Sequence, residues 1–225
     1  MLGPLVVSVV TIQKGKENKL SRIGVRDSKL LSRKKREYLY DEIMSIADDV
    51  GVYKISEMEI NKAMASGMSL NELEALHFAR LIDASSAKPR RIFLDSPDVI
   101  SEKFGVRVGI FSKKPLRIAG KRSSAKTVSK GNESAISVVA EHKADVIYPV
   151  VSCASIIAKV TRDNAVDEMK EKLGIDVGSG YPSDKKTVQA IKTSLGTEKL
   201  KPYMRDRWKT MRNIRQLRMG DFLDG

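Results

Sequence analysis

The sequence is poor in the residues that build disulfides and soft-metal sites. It has one cysteine, Cys153, two histidines and one tryptophan among 225 residues. One cysteine excludes an internal disulfide, and the few Cys and His residues exclude a zinc cluster, so any metal must be held by oxygen atoms. No apolar run approaches the roughly 18 residues of a membrane span, and the N-terminus lacks the pattern of a secretion signal. We therefore expect a cytoplasmic protein with no membrane partner.

Acidic residues are scarce relative to basic ones. The chain has 41 Lys and Arg against 28 Asp and Glu, a formal charge of +13. Nine basic residues and no acidic one lie between Lys103 and Lys130, and eight basic residues lie between Lys199 and Arg218 with only Asp206 against them. Such an excess indicates a polyanionic partner, nucleic acid first, although a basic surface also serves solubility. The one-signed clusters favour surfaces that face phosphates.

Strand-like and helix-like segments alternate along the chain, which predicts an α/β fold. The opening "GPLVVSVV" reads as a buried strand, and a helix is expected to begin near Ser32. "RRIFLDSPD" predicts a short strand that ends at Asp95, and "SAISVVAEHKAD" predicts another with Asp145 at its far end. A long helix is expected from about Ser152 to a stop at Gly174.

Asp95 and Asp145 are the best candidates for chemistry, because the ends of strands in one sheet can lie close together. Two neighbouring carboxylates repel each other unless a cation lies between them, and Mg²⁺ takes oxygen ligands of this kind. In a basic protein this arrangement indicates metal-assisted phosphodiester chemistry. Aspartates at strand ends also cap turns and helices, and the spacing by itself leaves that alternative open.

Asp163 shares one face of the predicted long helix with Ser155 and Lys159. Its simpler interpretation is an exposed pair with Lys159 that contributes about 0.3 to 0.5 kcal/mol. Tyr181 follows Gly180 in the loop "GSGYPSD", where it either packs locally or lies against a sugar or base.

Several segments, taken together and in order, resemble ribonuclease HII, particularly its archaeal and eukaryotic-type branch. They are "GPLVVSVV", "GVRDSKLLS", "MSLNELEA", "IFLDSPD", "AEHKADVIYPVVSCASIIAKVTRD", "GSGYPSD" and "RDRWKT". The resemblance runs from residue 2 to about residue 215 and is most specific from Glu141 to Asp163.

The resemblance implies a ribonuclease H-like mixed sheet flanked by helices over residues 1–195, with a small C-terminal helical extension over 196–225. It implies a monomeric endoribonuclease that cleaves the RNA strand of RNA-DNA hybrids and single ribonucleotides embedded in duplex DNA. The implied mechanism is two-metal hydrolysis with Mg²⁺ or Mn²⁺.

The resemblance also assigns roles to individual residues by motif. The implied catalytic, metal-binding carboxylates are Asp95, Asp145 and Asp163. The implied substrate-binding side chains are Tyr181, which meets the 2′-OH at the RNA-DNA junction, and Lys29, Lys143, Ser155 and Lys159.

The sequence departs from the family pattern at its front. The family begins with a strand that ends in an Asp-Glu pair followed by Gly-Arg-Gly, and none of these precedes "GPLV". A central strand without its neighbour leaves buried N–H and C=O groups unpaired, at about 1 to 3 kcal/mol each. We therefore expect this chain to be weakly folded and catalytically impaired, and we expect Met1 to be an internal methionine of a longer, active enzyme.

Two alternatives to an active ribonuclease HII remain at this point. The first is a non-catalytic basic nucleic-acid-binding protein derived from this fold. The second is another enzyme of the ribonuclease H-like superfamily, such as a resolvase or a transposase-type nuclease, which would be indifferent to the 2′-OH.

Overall fold

The computed structural model describes residues 2–25, 31–119, 126–127, 135–194, 199–207 and 211. Within these ranges the α-helices are α1 (Glu17–Ile23), α2 (Arg33–Ile46), α3 (Glu57–Ala65), α4 (Leu70–Ala84), α5 (Ser101–Phe111), α6 (Ala144–Ile147), α7 (Pro149–Leu173) and α8 (Lys185–Ser194). The strands are β1 (Leu5–Thr11), β2 (Asp49–Ile55), β3 (Arg91–Asp95), β4 (Leu116–Ile118), β5 (Lys126–Thr127) and β6 (Ile136–Glu141). A short 3₁₀ helix covers Lys201–Tyr203.

The strands form a mixed arrangement flanked by helices, as the sequence predicts. β3, β6, β4 and β5 form a four-stranded sheet in that order, with β6 parallel to both β3 and β4 and with β5 antiparallel to β4. β1 and β2 form a separate two-stranded sheet, and within the described residues the two sheets share no strand. Because β3 and β6 are parallel, their carboxyl ends lie at one edge, with Asp95 opposite Glu141.

Local signals explain where several helices begin and end. The Ser32 side chain accepts a hydrogen bond from the Lys35 N–H, so this residue caps α2 where the sequence predicts its start. α7 begins at Pro149, three residues before the predicted start, because proline needs no N–H partner in the first helical turn. It ends before Gly174, whose φ of +63° stops the helix as predicted.

One apolar core covers a face of the four-stranded sheet. Helices α4 and α5 pack there, and the cluster includes Ala79, Phe104 and Val108 against Leu94 and Val138. Helix α5 approaches the sheet closely, because a Cβ atom at its Gly105 would lie 3.3 Å from the Ala140 Cβ atom. This packing holds β3 and β6, and with them the sheet edge that carries Asp95.

A second apolar core joins α7 to β1 and α2. It includes Val10, Leu39, Ile43 and Ile156, all of them buried. The Ser8 hydroxyl adds a hydrogen bond of 2.6 Å to the Ala154 carbonyl oxygen. These contacts hold the first half of α7 in place.

The chain divides into two compact units. The larger unit comprises Val7–Tyr53 and Asn71–Val160, and the smaller unit comprises Met1–Val6, Lys54–Leu70 and Thr161–Gly225. The smaller unit has its own apolar cluster, which includes Leu2, Val166, Ile191 and Met204. The division into a catalytic domain over 1–195 and an extension over 196–225 stays a prediction.

No described helix is both long enough and apolar enough to cross a bilayer. The longest, α7, has 25 residues but carries charged side chains along its second half.

Candidate active site

Asp95 and Asp145 lie close together at the carboxyl edge of the four-stranded sheet. Asp95 is the last residue of β3, and its Oδ1 accepts a hydrogen bond of 3.1 Å from the backbone N–H of Ala144. Asp145 follows Ala144 in the chain and is only 3% exposed, whereas the Asp95 side chain is exposed. A specific hydrogen bond across 49 positions of sequence thus joins Asp95 to the residue that precedes Asp145, within the larger unit.

The expected position of Asp145 at the end of a strand is wrong. β6 ends at Glu141, and Asp145 lies in the first turn of the short helix α6. The chain turns at Lys143, whose carbonyl oxygen accepts the Val146 N–H at 2.9 Å and so starts the helix. The turn places Asp145 beside the end of β3 instead of beyond the end of its own strand.

Lys143 has an unusual backbone conformation for a lysine. Its φ of +56° and ψ of +34° are left-handed, and it is the one non-glycine residue with positive φ among the described residues. This conformation costs an L-residue about 1 to 2 kcal/mol relative to the right-handed one. The Lys143 side chain is exposed and makes no cap hydrogen bond to α6 in the described structure, so capping does not explain why lysine stands where glycine fits better. A strained lysine beside two carboxylates is typical of a functional position.

Ser155 and Lys159 form a contact within α7. The Lys159 ammonium donates a hydrogen bond of 2.5 Å to the Ser155 hydroxyl, one helical turn away. Both residues are only partly buried. Cys153, on the same helix, is fully buried, and burial raises the pKa of its thiol to about 12, so this thiol is not a nucleophile.

Asp163 belongs to the smaller unit, in the second half of α7. Its side chain is 16% exposed, and its Oδ1 accepts a hydrogen bond of 3.4 Å from Nη1 of Arg162. Within the described residues no group of three or more His, Cys, Asp or Glu side chains has the arrangement of a metal site.

Tyr181 is displayed by a tightly anchored loop. Gly178 and Gly180 have φ of +64° and +75°, which glycine tolerates best. The Thr187 hydroxyl accepts the Gly180 N–H at 2.9 Å and donates to the Val177 carbonyl at 2.8 Å. The Tyr181 ring is 37% exposed and lies over the guanidinium of Arg162.

Asp184 fixes the other end of this loop and was not singled out from the sequence. Its carboxylate accepts the Ser179 N–H at 2.6 Å and the Lys186 N–H at 2.9 Å. These bonds, led by the one from Ser179, lower the pKa of Asp184 to about 2. Its position just before α8 is an N-cap signal that sequence reasoning could have used.

Asp98 holds the segment that follows Asp95, and its role was also missed. It is 7% exposed and accepts hydrogen bonds from Asn71 Nδ2 at 2.6 Å and from Arg107 Nε at 3.0 Å. Arg107 also pairs with Glu72 at 3.3 Å. "MSLNELEA" and "IFLDSPD" therefore meet in one polar network beside the end of β3.

Part of the basic cluster between Lys103 and Lys130 serves the protein itself, so not every member of this cluster is available to face a phosphate. Arg107 pairs with Asp98 and Glu72. The Lys114 ammonium donates to the Ile82 carbonyl at 2.6 Å and to the Ser85 carbonyl at 2.8 Å. The predicted phosphate contact Lys29 lies outside the described residues.

Comparison with known proteins identifies the family of the chain. The family model for ribonuclease HII matches residues 1–211. The ribonuclease HII of Thermococcus kodakarensis is 37% identical over 95% of this chain and 84% of its own length. The ribonuclease H2 structure from Pyrococcus horikoshii superposes with a TM-score of 0.77 at 34% identity, covering 96% of this chain and 92% of that one.

A second solved structure is the complex of PCNA with the ribonuclease HII of Archaeoglobus fulgidus. It superposes with a TM-score of 0.75 at 35% identity and covers 95% of this chain and 90% of that one. The family match and these sequence identities together assign the chain to one family. The chain belongs to the ribonuclease HII family, the type 2 ribonucleases H that act on RNA-DNA hybrids.

Proposed function

We propose that this protein cleaves the RNA strand of RNA-DNA hybrids, including single ribonucleotides in duplex DNA, with Asp95 and Asp145 at its catalytic centre. The observation that carries the proposal is the bond from the Ala144 N–H to the Asp95 carboxylate, which joins Asp95 to the residue that precedes Asp145. Asp163 is a further candidate carboxylate by its place in the motif "VTRD".

Family members depend on a divalent metal, and the donors at this edge suit one. Carboxylate oxygens are the ligands that Mg²⁺ and Mn²⁺ take, and the nearly complete burial of Asp145 favours a charged partner for it. We therefore propose that Asp95 and Asp145 hold Mg²⁺ or Mn²⁺. Such a cation supplies charge stabilisation to the phosphodiester under attack.

The remaining residues bind and orient the substrate. We propose that the exposed Lys143, two residues before Asp145, meets a phosphate as a point charge. Lys159, steadied by Ser155, is a second candidate phosphate contact. Tyr181, which is 37% exposed, contacts the ribonucleotide, where the 2′-OH distinguishes RNA from DNA. Lys29 is proposed on its motif alone.

A non-catalytic nucleic-acid-binding protein is the second candidate, favoured by the net charge of +13.

One assay separates these possibilities. The 225-residue protein is incubated with a duplex that contains one ribonucleotide, with Mg²⁺ or Mn²⁺, and with the same duplex in all-deoxy form. We expect metal-dependent cutting at the ribonucleotide that Asp95→Asn abolishes while binding is kept. Binding without any cutting by the parent would favour the non-catalytic candidate. Equal cutting of the all-deoxy duplex would refute a ribonuclease HII activity.

The relative from Archaeoglobus fulgidus, solved with PCNA, indicates a partner. We propose that a sliding clamp of this kind also binds this chain, through the apolar residues Met219, Phe222 and Leu223 near its C-terminus. Removing residues 219–225 should abolish clamp binding in calorimetry and leave hybrid affinity unchanged, because every basic residue up to Arg218 is retained. Clamp binding by the shortened chain would place the contact elsewhere.

A further inference from the structure

The guanidinium of Arg162 is buried beneath the ring of Tyr181. We propose that Arg162 is a positioning residue that fixes the Tyr181 ring for recognition of the ribonucleotide. This inference rests on the proposed function, which gives Tyr181 its contact with the 2′-OH. Arg162 itself does not need to touch the substrate.

The geometry of the pair is that of a close cation–π contact. The Arg162 Cζ atom lies 3.6 Å from the centroid of the Tyr181 ring. Arg162 is only 6% exposed, whereas Tyr181 is 37% exposed. A cation removed from water binds an aromatic face more strongly than an exposed one does. The guanidinium therefore covers one face of the ring and leaves the rest of it open to a ligand.

Hydrogen bonding alone does not account for the burial of this charge. Nη2 of Arg162 is buried and has no hydrogen-bond partner among the described residues. Nη1 contacts Asp163 Oδ1 at 3.4 Å, which is long for a charge-assisted hydrogen bond. The aromatic face at 3.6 Å thus adds to the long ion pair with Asp163 in compensating the buried guanidinium.

The loop is shaped to make this contact. A Cβ atom at Gly180 would lie 2.8 Å from Arg162 Nη2 and 2.9 Å from the Leu2 carbonyl oxygen, so only glycine fits. The Gly180 N–H is held by Thr187, and the Gly180 carbonyl accepts the Leu2 N–H at 3.2 Å. With the backbone fixed on both sides, the tyrosine that follows has its ring directed onto the arginine.

The arginine also links two residues with proposed roles. It contacts Tyr181 through its planar face and Asp163 through one edge. A ring that is already oriented loses less conformational entropy when substrate binds, so the contact should raise discrimination for the ribonucleotide. Its removal should lower discrimination and not merely general affinity.

The test measures discrimination by fluorescence anisotropy in EDTA, which prevents metal-dependent cleavage. Discrimination is the ratio of Kd for an all-deoxy duplex to Kd for the same duplex with one ribonucleotide. Arg162→Met keeps an unbranched buried side chain without the cation, and we expect it to lower this ratio by about 3- to 10-fold. Arg162→Lys, which keeps the charge, should recover part of the ratio.

Matched variants separate positioning from loss of charge and from loss of fold. Lys170→Met removes one positive charge from the same helix, where Lys170 pairs with Asp167 at 3.1 Å, and it should leave the ratio unchanged. Arg162→Met combined with Tyr181→Leu should be no worse than Tyr181→Leu alone, because both changes disable one unit. Fully additive losses would overturn the inference.

A second readout does not depend on nucleic acid. With ¹³C-labelled tyrosine, the Tyr181 ring signal is identified among six tyrosines by its loss in Tyr181→Leu. Arg162→Met, or Arg162→Lys if the first variant does not fold, should shift this signal. An unmoved signal, or a ratio within twofold of the parent's, overturns the inference. Equal parental affinity for both duplexes would instead refute the proposed role of Tyr181, whatever the ring signal shows.

Discussion

Replacing Lys143 with glycine should raise stability and weaken binding at once. Lys143 has φ of +56°, which costs an L-residue about 1 to 2 kcal/mol that glycine does not incur. Glycine in turn loses about 0.5 to 1 kcal/mol more in chain entropy on folding. The backbone bonds that start α6 use only the Lys143 carbonyl oxygen, and its side chain is exposed, so no packing is lost. Lys143→Gly should therefore change the free energy of unfolding by about 0 to +1.5 kcal/mol.

The loss of the side chain should appear in binding instead. If Lys143 meets one phosphate, the slope of log K against log salt for duplex binding should fall by about 0.9. Urea unfolding and anisotropy titrations at several salt concentrations measure the two effects. Lys192→Gln, on an exposed position of α8, is the control for the change in net charge and should leave the slope unchanged. A destabilisation above about 1 kcal/mol together with an unchanged salt slope would refute the functional interpretation of Lys143.

Three further outcomes are expected. Asp98→Ala should lower the free energy of unfolding by about 1 to 3 kcal/mol, because Asn71 and Arg107 lose their shared acceptor, and urea denaturation measures this. Asp184→Asn should be less heat-stable than the parent above about pH 4, and this difference in thermal stability should shrink as the pH falls towards 2. The pKa of Asp184 in the folded protein, about 2, lies below the usual 3.8, so its ionised form stabilises the fold fully above pH 4 and loses this effect towards pH 2. A difference in thermal stability that stays constant from pH 4 to 2 would contradict its assignment to the ionised Asp184 carboxylate. Hybrid affinity of the parent should fall steeply with salt, and a flat dependence would argue against phosphate contacts.

Local signals were sufficient for much of the fold. The cap at Ser32, the apolar run that ends at Asp95 and the stop at Gly174 are all short-range features, and the structure places each where the sequence predicts it. Such features depend on residues within one or two turns of each other. The family motifs add the identity of the fold, which the comparisons confirm.

The sequence did not predict which charges the protein uses internally. Arg107 and Lys114 look like their basic neighbours in the chain, yet one binds Asp98 and the other binds two carbonyl oxygens. The sequence likewise predicts Asp145 at the end of a strand. In the structure, a left-handed turn at Lys143 precedes helix α6, and Asp145 lies in this helix. In each case the deciding partner or turn is a feature of the folded chain that residue type does not reveal.

The sequence by itself determined the elements, the basic character and the kinds of residue available for catalysis, because propensity, periodicity and net charge depend only on order and composition. The tertiary structure decided which of these residues meet. The Ala144 N–H reaches Asp95 across 49 positions, and Arg162 lies under Tyr181 through a loop that only glycine permits. Such contacts depend on how strands pair and where loops turn, and those are properties of the packed chain.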